Sequence, residues 1–93
     1  MDTSGAVPYR PRVREGLALE VVDGEAVLLD LRTGALHRCN VSATAVLRAC
    51  DGRRTVDELA TDLAEEHDVP ARVMVRDVRA ALRQLRAADL VRG

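Results

Sequence analysis

Two hydrophobic periods divide the chain. Between Gly16 and Cys39 apolar residues alternate with polar or small ones, and after Asn40 they recur at helical spacing. Leu17, Leu19 and Val21 alternate with Ala18, Glu20 and Val22, which predicts a half-buried strand. Asp23-Gly24 follows, a dipeptide suited to a two-residue hairpin turn because both residues tolerate positive φ. The next strand is expected over residues 25–31, with Val27, Leu29 and Leu31 on one face and Asp30 marking the other. Arg32-Thr33-Gly34 makes a second turn, and residues 35–39 a short third strand. Strands joined by tight turns predict an antiparallel meander.

The helical part carries clear punctuation. Asn40 or Ser42 can cap a short helix whose apolar positions are Val46, Leu47 and Cys50, and Asp51-Gly52 stops it. Thr55 and Glu58 have the spacing of a capping box, ahead of the stripe Val56, Leu59, Ala60 and Leu63, which ends near His67. Asp68 and Pro70 signal a third helix reaching about Ala88, with Met74, Val78, Ala81, Leu82 and Leu85 inward. Leu90-Val91 forms an apolar tail. The expected fold is a small α+β domain of order βββααα over residues 16–93. Residues 1–15, with two prolines and three arginines, read as a flexible N-terminal arm.

Composition narrows the chemistry. The chain has 93 residues and a net charge of −1, enough for one domain and too little cationic for a sequence-blind nucleic-acid binder. Tyr9 is its only aromatic residue, so stacking platforms for single-stranded nucleic acid are missing. No apolar run approaches the roughly 20 residues of a membrane span, and no export signal is visible. With only Cys39 and Cys50, this predicts a cytoplasmic chain without a disulfide framework. His37, Cys39, Cys50 and His67 lack metal-site spacing, and no phosphate loop, nucleophile elbow or paired-carboxylate motif occurs. The expectation is no enzyme, no metal and no cofactor.

Two surface features remain. On a wheel with Val78 at zero, Arg72, Arg76, Arg79, Arg83 and Arg86 fall between about 80° and 160°, with Val75 and Leu82 at the inner edge and Asp77 and Gln84 on the opposite flank. A solvated helix face fits this stripe, and so does a site for an acidic peptide or a phosphate backbone. Residues 35–39 would form an edge of the meander. Its free backbone groups could accept an extended peptide, or His37 and Arg38 could merely protect it.

The ordered set VLLDLRTG, SATAVLRACDG, RRTVDELATDLAEEHDV and DVRAALRQLRAADLV resembles the PqqD-like family over about residues 16–92. That family includes the pyrroloquinoline-quinone biosynthesis protein D and the B1 proteins of lasso-peptide pathways. The resemblance implies a winged-helix-like, non-catalytic recognition element for the leader segment of a ribosomally made precursor peptide. The leader would add to the third strand at Leu36, His37, Arg38 and Cys39, against a third-helix wall of Val75, Arg79, Leu82, Arg83 and Arg86. A partner modifying enzyme or leader peptidase would then act on it. Family members commonly have an aromatic near Leu36 and a leucine where this chain has Cys39, so the groove should offer less apolar bulk. The alternative is a winged-helix DNA-binding protein, entering a major groove with its arginine-lined helix. The acidic second helix, with Asp57, Glu58, Asp62, Glu65 and Glu66, opposes it.

Overall fold

In the computed structural model, which describes residues 8–93, Asp23 and Gly24 take φ of 53° and 79°. These paired positive angles match the right-handed twist of a tight hairpin. The hairpin joins β2 (Leu17–Val22) to β3 (Glu25–Asp30), and a second turn leads to β4 (Leu36–Cys39). The three strands form an antiparallel meander in the order β2-β3-β4, so β4 is an edge. Three helices follow: α1 (Val41–Ala49), α2 (Val56–His67) and α3 (Ala71–Ala87). A two-stranded antiparallel ribbon of β1 (Arg12–Val13) and β5 (Val91–Arg92) joins the two ends of the described chain.

The helix ends follow local chemistry. Asn40 caps α1, its side chain accepting from the Ala43 N–H at 2.8 Å. The Thr55–Glu58 capping box is complete at α2. Helix α3 ends in paired reverse bonds, with the Asp89 N–H donating to Arg86 O and the Leu90 N–H to Leu85 O. Asp89 takes a left-handed φ of 59°, and Leu85 and Leu90 are both buried, as this helix stop requires.

The core lies between the sheet and the helices, where Leu28, Leu47, Leu59 and Val78 are among the largest fully buried side chains. Thr44 is buried with them. Its hydroxyl accepts from the Ala26 N–H at 2.8 Å and donates to Cys39 O at 3.2 Å, splicing α1 into the β3–β4 ladder. Thr44→Val keeps the shape but strands both backbone groups. We expect a loss of about 1–3 kcal/mol in urea unfolding, with Thr44→Ser retaining most of the stability.

Two sequence expectations change. The buried face of β3 is Ala26, Leu28 and Asp30, while Leu29 is exposed and Leu31, just beyond the strand, is 64% exposed. Alternation alone favours the richer apolar set. The structure buries Asp30 because Arg14 reaches its carboxylate at 2.7 Å, and a paired, hydrogen-bonded charge can be buried. The arm expected over residues 1–15 divides. Residues 1–7 lie outside the described residues, whereas the chain from Tyr9 to Arg14 packs against the domain. Pro11 is fully buried. Val13 N–H donates to Cys50 O, Arg14 N–H to Leu90 O and Gly52 N–H to Pro11 O. The apolar Leu90-Val91 tail needs a cover, and this segment supplies it.

Arg14 is the hub of that closure. Its guanidinium donates to Asp89 O, Glu15 O and the Asp30 carboxylate. Asp30 in turn accepts from the Arg32 and Thr33 amides at 2.9 and 3.3 Å, and its own backbone bonds to Gly34 and Ala35. One carboxylate thus ties the N-terminal segment to the turn that presents β4.

Candidate functional site

The phase of the β3–β4 ladder determines what β4 offers. Asp30 N–H donates to Ala35 O at 2.8 Å, so residues 30 and 35 face each other as a bonded rung. The register pairs Leu29 with Leu36, Leu28 with His37, and Val27 with Arg38. In an antiparallel ladder bonded and non-bonded rungs alternate. Leu36 and Arg38 therefore turn their N–H and C=O groups toward the open edge, and His37 turns its own toward β3.

An open groove of about 540 Å³ runs beside this edge. Leu36, His37, Arg38 and Cys39 line it from the strand, Asn40 and Ala43 from the start of α1, Gln84 and Leu85 from α3, and Ala88 from the C-terminal cap of α3. A second depression of about 310 Å³ continues past Asn40 and Ala43 to Asp77, Ala80 and Ala81. The α3 wall is thus a flank of small side chains with two polar ones, Asp77 and Gln84. Alanine there lets a second backbone approach closely, while Gln84 carries both a donor and an acceptor.

The structure brings the four strand residues together as expected but not the expected helix wall. Arg79, Leu82, Arg83 and Arg86 line a different depression with Tyr9 and Val56. Val75 is half-buried and packs on the core, away from β4. The reason is chain order. β4 runs straight into α1, so α1 and β4 share one flank of α3, and α2 covers the start of the other, where Arg79 lies 4.0 Å from Asp57. A helical wheel gives the circumference but not which flank meets the strand. The missed residues carried a signal: Ala80, Ala81 and Ala88 fall with Asp77 and Gln84 between about 200° and 300° on the same wheel.

The groove is poor in reactive groups. Burial pushes the Cys39 thiol above its ordinary pKa. Burial, helped by Asp51, pushes Cys50 up to about 12. Both sulfurs are thiols at neutral pH, not thiolates. Among the described residues no group of three or more His, Cys, Asp or Glu side chains could hold a metal ion, and no helix is long and apolar enough to cross a membrane. What the site presents is backbone: unpaired edge groups above a shallow helical floor, the geometry that receives an extended chain as an added strand.

Comparison with known proteins agrees with this architecture. The family model for coenzyme PQQ synthesis protein D (PqqD) matches residues 25–91. A PqqA binding protein of Rhizobium meliloti (strain 1021) is 40% identical over 43 residues, 46% of this chain and 44% of that protein. The match therefore spans less than half of that curated relative. Among solved structures, TbiB1 in complex with the TbiA(beta) leader peptide is similar with a TM-score of 0.73 and 23% identity, covering 88% of this chain and 95% of that one. A lasso peptide synthetase B1 complexed with the leader peptide gives 0.72 and 23%, covering 90% and 99%. At that identity the two structures establish the fold.

Proposed function

Because the chain belongs to the PqqD family, we propose that it is a non-catalytic binding module for the leader segment of a ribosomally synthesised precursor peptide. The observation that carries this reading is the unpaired edge of β4, with the Leu36 and Arg38 backbone groups open beside a groove floored by α3. The leader adds as a fourth strand. Its alternate side chains enter the groove beside His37, Gln84 and Ala88, and the others extend the outer sheet face beside Leu36. The relative named for binding PqqA and the two leader-bound B1 structures support this assignment.

Binding holds the precursor near a partner enzyme, a modifying enzyme or a leader peptidase, and raises the effective concentration of its core segment there. Backbone bonds set the register, and groove contacts select the side chains. The two free cysteines suit a reducing cytoplasm as the place of action. The test is calorimetric titration with the leader of the precursor peptide encoded beside this chain. The expected result is saturable one-to-one binding that a scrambled leader does not reproduce. Equal binding of the scrambled leader would overturn the reading.

A further inference from the structure

The arginine stripe lies outside the proposed peptide groove, on the other flank of α3, and calls for its own account. Arg72, Arg76, Arg79, Arg83 and Arg86 are all exposed. Among the described residues, only Asp57, 4.0 Å from Arg79, brings a carboxylate within ion-pair range of these arginines. Between the guanidiniums the surface dips into a cup of about 210 Å³. Its floor is apolar, made by Leu82 and Val56, and Arg79, Arg83 and Arg86 stand around it. Tyr9 closes one side with Arg86 stacked 4.9 Å above its ring, and among the described residues the buried Tyr9 hydroxyl has no hydrogen-bond partner.

We infer that this ridge is a second docking surface, which receives an acidic, partly apolar segment of another protein while the β4 groove stays free. Guanidinium forks match carboxylates in paired hydrogen bonds, and an apolar residue between the carboxylates fills the cup. The acidic residues of α2, Asp57, Glu58, Asp62, Glu65 and Glu66, are exposed along the neighbouring helix. They repel a long phosphate backbone crossing the surface but leave room for a short segment lying along α3. Groove and ridge occupy opposite flanks of one helix, so both occupants can be held at once.

The test uses three probes at physiological salt. One is a synthetic helical peptide with glutamates on one face and a leucine between them. The second is its lysine counterpart, and the third is duplex DNA of matched charge. With isotope-labelled protein, the acidic peptide is expected to shift Val56, Arg79, Leu82, Arg83 and Arg86 and leave Leu36 to Asn40 unmoved. The double variant Arg79→Glu/Arg83→Glu, both at exposed positions, should weaken it by about tenfold or more. The lysine peptide should not bind. Tighter binding of DNA than of the acidic peptide on the same residues would overturn the inference, as would the absence of binding by the acidic peptide.

Discussion

Asp30→Ala is expected to lower the melting temperature by more than about 10 °C, the largest single-site loss we foresee outside the apolar core. The substitution leaves the Arg14 guanidinium, 4% exposed, buried without its carboxylate. It also frees the Arg32 and Thr33 amides that form the turn into β4. Arg14→Leu/Asp30→Leu should recover part of the loss, because a buried ion pair replaced by apolar residues is often tolerated. Recovery stays partial because the turn amides remain unpaired.

Acid titration reads the same carboxylate. The Arg32 N–H, then Arg14 and the Thr33 N–H, hold Asp30 down from 3.8 to about 2, against the opposing effect of burial. A pKa lowered by folding stabilises the native state fully above the unfolded value and loses that contribution as pH falls. The wild-type protein should therefore lose stability between about pH 4 and pH 2 more steeply than Asp30→Asn. A drop of only a few degrees for Asp30→Ala, or parallel acid curves, would show that the Arg14 hub does not organise the fold.

Arg38→Pro should weaken leader binding by about tenfold or more while leaving the melting temperature almost unchanged. Proline removes the Arg38 N–H, which the ladder phase aims at the open edge and not at β3. An edge strand tolerates proline where its N–H faces outward. The control is Arg38→Ala, which keeps the backbone donor and removes an exposed side chain that, among the described residues, pairs only with Glu25 at 3.8 Å. That exposed pair contributes little, so affinity should stay within about threefold. The two variants separate backbone recognition from side-chain charge. If Arg38→Ala is as damaging as Arg38→Pro, the guanidinium carries the binding and strand addition does not.

Much of this architecture was legible in residue types. The Asp23-Gly24 turn, the Asn40 cap, the Thr55–Glu58 box and the apolar stripe of α3 are local signals, and local backbone chemistry determines them. The edge position of β4 was legible too, because the last strand of a three-stranded meander must be an edge. What escaped was relational. Asp30 looked like a solvent-facing marker because its partner, Arg14, lies in a segment with the composition of a tail. The arginines of α3 looked like the groove wall because they are conspicuous. The residues that line the depressions beside β4 and the start of α1, Asp77, Ala80, Ala81, Gln84 and Ala88, draw attention only once β4 and α1 are placed against them. Small side chains mark close backbone approach, and the bulkier, charged flank is left to another surface.

The most direct test of the central claim is nuclear magnetic resonance of isotope-labelled protein bound to its leader peptide, read for cross-strand contacts between peptide backbone protons and β4. Strand addition predicts contacts to Leu36 and Arg38, with amide shifts gathered over residues 36–40 and along the Asp77–Ala88 flank of α3. Shifts gathered at Val56, Arg79, Leu82, Arg83 and Arg86, with β4 silent, would contradict it and move the peptide to the arginine ridge.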